Sequence, residues 1–215
     1  RTRFDKEHAL DREAYHLVLL CENETGYRNL SYMVSRGYLD GFYNRPRVDM
    51  DLLRAHHEGI IALSACLAGR VPQALLHDQY EEAKTAALEY AEIFGPEHFY
   101  LELQDHGLEE QTRVNQGVMK LARETGLPLV VTNDAHYLRR EDAKNQDILM
   151  CIQMGKTVED ENRLKFETDE FYLKSEEEMR AGFPALEEAF DNTVRIAERC
   201  NVEFTFGKYH LPEFK

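Results

Sequence analysis

No stretch of this chain stays apolar for the roughly 20 residues that a membrane-spanning helix needs. No basic segment followed by an apolar run opens it either. The chain is therefore expected to be soluble and cytoplasmic, with no membrane among its partners. Positive charge is scarce too: 26 Lys and Arg stand against 40 Asp and Glu, a net charge of −14. Proteins that hold nucleic acid by bulk electrostatics need clustered Lys and Arg, so the balance argues against that class. Bound cations are the exception, because they invert the local field and let an acidic surface act on phosphates. The four cysteines, Cys21, Cys66, Cys151 and Cys200, form no CxxC pair. That spacing argues against a disulfide framework and for reduced thiols, one of them a candidate metal ligand. The glycine-rich phosphate loops, GxSxG and HExxH are all absent, which leaves those enzyme classes without support.

What is present suits a globular α/β protein. With 215 residues the chain can bury a sizeable core. Four apolar runs bounded by Gly, Asn, Asp or Pro read as strands: 15–21 (YHLVLLC), 59–66 (GIIALSAC), 98–104 (HFYLELQ) and 127–134 (LPLVVTND). Helical patterns fall between them, at 29–39, at 80–94 before Gly95-Pro96, and at 111–125 with Gly126 as C-cap. Such alternation predicts parallel βα units, hence a doubly wound sheet or a barrel. Beyond His136 the rhythm changes: 139–170 is charged and irregular. Ser175 with Glu178 forms a capping box, 186–200 is amphipathic, and FTFGKYHLPEF (204–214) reads as an extended exit.

In parallel α/β folds the loops after the strands' carboxyl ends form the active face. Asp134 and His136 stand there, and i, i+2 spacing on extended backbone points both side chains the same way. They read either as two ligands of a divalent ion or as a capping Asp beside an exposed His. Cys66 ends another strand and reads as a small buried hydrophobe or, with the first pair, as a thiolate that favours zinc. His16 opens its strand, so simple strand polarity places it at the opposite end, as a structural histidine. His106, after LELQD, is either a turn residue or a donor to a phosphate or to a metal ligand. His56 and His57 read as solvated surface, and Cys21, Cys151 and Cys200 as packing.

In this order YHLVLL, NETGYRNL, EGIIALSACLAG, YLELQDHG, VVTNDAHYL, FYLKSEEEM, NTVRIAERC and FGKYHLPEF resemble the PHP (polymerase and histidinol phosphatase) domain of bacterial DNA polymerase III alpha subunits. The resemblance runs nearly end to end. It implies part of a distorted TIM-like βα barrel over 1–174, with metals at one mouth, and a helical connection towards the polymerase palm over 175–215. By motif it implies His16, Cys66, Asp134 and His136 as metal ligands, with Asp134 and His136 catalytic through the bound metal. His106 and Asn133 become candidates to support a ligand or touch substrate. The implied cofactor is a divalent metal, zinc first and manganese or magnesium as alternatives. The family's HxH motif and its further Asp, His and Glu ligands precede the matching segment, so the domain's N-terminal part is expected to be lacking, as are the palm carboxylates. The implied function is DNA replication within a DNA-directed DNA polymerase, with metal-dependent 3′–5′ exonuclease or phosphoesterase chemistry. DNA, a proofreading exonuclease subunit and other replicase subunits are the implied partners. Some relatives have lost ligands at the positions of Cys66 or His136 and act as scaffolds for that exonuclease. Here both positions are intact, which points to the metal-binding form, with the scaffold as alternative.

Overall fold

The computed structural model describes residues 1–11, 14–209 and 211. Its centre is a four-stranded sheet in the order β1 (Val18–Cys21), β2 (Ile60–Leu63), β3 (Phe99–Leu103) and β4 (Leu129–Val131). The helices are α1 (His8–Asp11), α2 (Glu24–Leu39), α3 (Met50–Ala55), α4 (Arg70–Leu76), α5 (Tyr80–Phe94), α6 (Glu109–Thr125), α7 (Ala143–Met154), α8 (Glu176–Gly182) and α9 (Glu187–Arg199). The protein is thus mixed α/β, and among the described residues no helix is long and apolar enough to cross a membrane.

The expectation of parallel pairing holds for β2, β3 and β4. It fails at β1, which runs antiparallel to β2 with Val18 opposite Leu63 and Cys21 opposite Ile60. The chain path gives the reason. From β1 it leaves along α2 and turns where Arg47 Nε donates to the Gly41 carbonyl. It then comes back until His56 reaches Asn29 and Asn29 donates to the Glu58 carbonyl at 2.9 Å. It therefore re-enters the sheet at the end it left, and β2 must run the other way. Gly26 makes this close return feasible, because a Cβ there would lie 1.9 Å from the Gly59 carbonyl oxygen.

Period-2 alternation divides the strands between two faces. Ile60, Ala62, Phe99, Leu101, Leu103 and Val131 face the main core, where α4, α5 and α6 cover them with Val71, Ala86, Ala87, Val118 and Leu121. Ile61, Leu63, Tyr100 and Val130 face the other way and meet Ile196 of α9. Asn192 of α9 donates to the Leu129 carbonyl at 2.8 Å, satisfying a backbone oxygen on the β4 edge strand.

Helices whose ends carry strong local signals fall where the pattern placed them. The span 80–94 matches α5, α6 ends at Gly126 in the left-handed region (φ 73°), and Ser175 and Glu178 close a capping box on α8. The reading of 139–170 as irregular is corrected by α7. Its apolar Ile148, Leu149 and Ile152 are exposed and only Cys151 is buried, so no single stripe betrays the helix. The expected exit segment 204–214 falls partly outside the described residues, at His210 and 212–214. Its described part carries no helix or strand.

Candidate metal centre

Because β1 is antiparallel, the residue that opens it lies at the carboxyl end of β2. The polarity argument against His16 is thereby removed. Its backbone N–H donates to the Ala68 carbonyl at 3.0 Å, and it bridges Gly69 in the loop after β2. The ring then stands with Nδ1 3.6 Å from Cys66 Sγ.

Asp134 and His136 also meet, Oδ1 to Nε2 at 3.5 Å, though not through the pleat of a strand. Asp134 lies in the left-handed region at φ 45°, so the chain turns there instead of staying extended. His136 is fixed from its backbone, which donates to the Phe171 carbonyl at 2.8 Å, and its ring packs 4.9 Å from that of Phe166.

Both separations can be compared with ligand spacing. Bonds of about 2.3 Å to sulfur and about 2.05 Å to nitrogen or oxygen, at the tetrahedral angle, set S and N about 3.6 Å apart and N and O about 3.4 Å apart. Cys66–His16 and Asp134–His136 each stand at that spacing, and thiolate, imidazole and carboxylate suit a borderline-soft divalent ion. Among the described residues, however, no three His, Cys, Asp or Glu side chains form a group that could hold an ion. The residues present fit as two ligand pairs.

The pairs share a cleft of about 550 Å³, lined by His16, Cys66, Glu102, Gln104, Thr132 and Asp134 among others. His136 adjoins it through Asp134. Its electrostatics favour a cation. Burial pushes the Cys66 thiol pKa up, and the Asp134 and Glu102 carboxylates push it further. Burial raises the Glu102 carboxyl in the same way, opposed by hydrogen bonds from Thr132, Gln104 and the Ala65 backbone. A positive ion would reverse both shifts.

Glu102, Gln104 and Thr132 escaped the reading of the sequence as site residues. The signal was present: Tyr100, Glu102 and Gln104 alternate along β3 and just beyond it, and Val130 and Thr132 along β4 and just beyond it. The face that is apolar at one end of the sheet thus turns polar at the other. A carboxylate inside FYLEL, a strand buried at every position, was the specific clue.

His106 is neither a surface turn residue nor open to solvent, being fully buried. Its ring stacks on Phe171 with centroids 4.1 Å apart. Nδ1 accepts from Gln111 Nε2 at 2.7 Å and Nε2 contacts the Asn133 carbonyl. A carbonyl can only accept, so Nε2 carries the proton, and burial lowers the ring's pKa and keeps it neutral. Both ring nitrogens are therefore engaged within the protein, one of them on the backbone next to Asp134. Asn133 donates through Nδ2 to the Tyr172 carbonyl at 2.8 Å, which ties the end of β4 to the segment carrying Phe171.

Residues 3–106 match the PHP domain family. The chain is 52% identical over 202 residues to the DNA polymerase III subunit alpha of Treponema pallidum, a match covering 94% of this chain and 17% of that protein. It is 49% identical over 211 residues to the subunit of Borreliella burgdorferi, covering 98% of this chain and 18% of the relative. Against that of Thermus aquaticus it is 46% identical over 221 residues, covering 99% and 18%. The chain thus spans under a fifth of the length of these relatives. Its own PHP match and these identities together establish that the chain belongs to the PHP-domain family, in the form carried by bacterial DNA polymerase III alpha subunits.

Proposed function

We propose that this chain supplies part of the divalent-cation cleft of a PHP domain in a replicative DNA-directed DNA polymerase, and that the assembled cleft cleaves phosphodiesters as a 3′–5′ exonuclease. On this reading the sheet is one arc of a distorted βα barrel within a PHP domain over 1–174, and 175–215 leads towards the polymerase palm. The carrying observation is the convergence of Cys66–His16 (3.6 Å) and Asp134–His136 (3.5 Å) on one end of the sheet. A bound divalent cation, zinc foremost for a site with a thiolate and manganese or magnesium otherwise, supplies Lewis-acid activation of water and neutralises phosphate charge. The chain's own residues hold and orient. His16 and Cys66 approach from β1 and β2, Asp134 and His136 from the turn after β4. His106 keeps the Asn133 backbone in place, so that Asp134 presents its carboxylate to the cleft. On this reading DNA is held mainly by other parts of the polymerase.

The test is metal content by plasma mass spectrometry after chelator-free purification, beside an Asp134→Ala, His136→Ala variant, followed by release of 3′-nucleotides from a single-stranded oligonucleotide. Bound metal and nuclease activity in the parent, both lost in the variant, are expected. A second reading has its own support. With no group of three ligands among the described residues, the domain could act without chemistry, as a scaffold that docks the proofreading exonuclease subunit. Metal-free parent protein that still co-purifies with that subunit would make the scaffold the better account.

A further inference from the structure

Helix α7 is built inside out. At 3.6 residues per turn Asn145, Ile148, Leu149 and Ile152 share one side of it, and Lys156 continues that side past its end. Ile148, Leu149 and Ile152 are 48%, 59% and 71% exposed. The opposite side carries the buried Cys151 and Asp147, whose Oδ2 accepts from Arg163 Nη2 at 2.8 Å. The Arg163 side chain is itself only 7% exposed. An ion pair thus faces the protein while three large aliphatic side chains face out. Among the described elements, only the short turn Arg140–Asp142 that leads into α7 packs broadly against it.

A surface helix normally turns its apolar stripe inward, and apolar side chains clustered on an outward face mark a contact surface. The relief of the face says what kind. Asn145–Leu149 and Ile148–Ile152 are i, i+4 ridges on a helix of 12 residues, the form that packs against another helix. Charge narrows the choice. Lys144 and Lys156 are exposed at the two ends of the stripe. Among the described residues neither is in an ion pair, while the nearby carboxylates are engaged, Asp147 with Arg163 and Glu141 with Arg139 at 3.9 Å. A second copy of α7 therefore fits badly. Laid antiparallel about the middle of the stripe, Lys144 of each copy meets Lys156 of the other; laid parallel, each lysine meets itself. A nucleic acid suits the lysines but sets a polyanion over three aliphatic side chains. An amphipathic helix with an apolar stripe and an acidic residue towards each end satisfies both.

The relatives carry the matching segment as under a fifth of their length. Most of such a subunit therefore lies elsewhere in the same polypeptide, where tethering raises its effective concentration at this face. We propose that the outward face of α7 seats an acid-flanked amphipathic helix from the remainder of the polymerase subunit. The proposal rests on the chain's place in such a subunit and not on the metal reading of the cleft.

The full polymerase subunit tests it. With a photoreactive benzoylphenylalanine at position 149, irradiation is expected to join α7, at monomer mass, to a helix outside these 215 residues whose apolar stripe is flanked by Asp or Glu. A crosslink to a second copy, a crosslink only to a separate replicase subunit added alongside, or no crosslink overturns the proposal. Amide exchange read by mass spectrometry follows the same contact without a probe. Ile148→Lys combined with Ile152→Lys should speed exchange in α7 and in the crosslinked helix by on the order of 10-fold, with β2 and β3 unchanged. Lys156→Glu should speed it by a smaller factor that shrinks as salt is raised. Parent-like exchange in the double variant overturns the proposal as well. If the double variant unfolds as a whole, the crosslink from position 149 decides. Metal content should stay parent-like in every variant that folds, so failure here leaves the cleft reading standing.

Discussion

On one side of β3, Phe99, Leu101 and Leu103 are fully buried beneath α4, α5 and α6. On the other, Tyr100, Glu102 and Gln104 run from an apolar patch into a polar cleft. The residues alternate along one strand, so backbone, propensity and chain position are shared, and only the covering differs. The first side is backed by helices that bring Ala, Val and Leu to every gap, each large buried side chain contributing about 1.5–3 kcal/mol. Among the described residues the second is covered by α9, which meets it at Ile196. Stability is concentrated on one side of the sheet and the candidate site lies on the other, where buried acceptors are left unpaired. A single pleated strand can serve both because its side chains do not share a side.

The comparison breaks if the two sides respond alike to substitution. Phe99→Ala should be the most damaging change, costing about 3–5 kcal/mol in urea denaturation, since the ring is fully buried and its surroundings are close-packed. A loss under about 1 kcal/mol would show that the helical layer collapses easily around it. His106→Ala comes next, at about 2–4 kcal/mol, because it strands the Asn133 carbonyl and the Gln111 amide and removes the stack on Phe171. It should also release metal, since the backbone beside Asp134 loses its anchor. Unchanged metal content would confine His106 to packing.

Smaller effects sharpen the contrast. Asn192→Ala removes the donor to the Leu129 carbonyl and should cost about 1 kcal/mol, with faster amide exchange in β4 as its signature. Parent-like exchange would mean that the edge carbonyl is satisfied without α9. The least damaging change is Glu102→Gln in chelated protein, and its sign depends on pH. The folded carboxyl has a pKa raised by burial. The unfolded chain therefore ionises first as pH rises, binds fewer protons than the native state, and gains in relative stability. The parent's stability should fall between the unfolded and the raised folded pKa, while the Gln variant lacks that contribution. Melting curves at stepped pH should show the variant gaining on the parent through that window. Parallel curves would mean that Glu102 titrates as an ordinary surface carboxyl.

Several features were legible before any coordinates. The extent of α5, the αL glycine that ends α6 and the Ser175–Glu178 box follow from residues a few positions apart, and so do the apolar strand centres. Helix α7 was not legible, because its apolar residues point outward and periodicity reports burial, not helicity. Cys66, Asp134 and His136 stood out as chemistry-bearing groups at strand ends. His16 did not from its position alone, since its place depended on the direction of β1, and only the family resemblance named it. Glu102 and Gln104 were hidden in a strand that reads as ordinary core.

The sequence by itself determined the local content: which segments are strands, where most helices stop, and that β3 carries a carboxylate among apolar neighbours. Periodicity, caps and turn residues act over a few positions, so they need nothing but their neighbours. Only the tertiary structure decided that β1 runs backwards, that a histidine and a cysteine 50 residues apart stand 3.6 Å from each other, and which face of β3 becomes the cleft. Those outcomes depend on the path the chain takes between strands and on how closely Gly26 lets it return to Gly59. No local pattern encodes a path of that length.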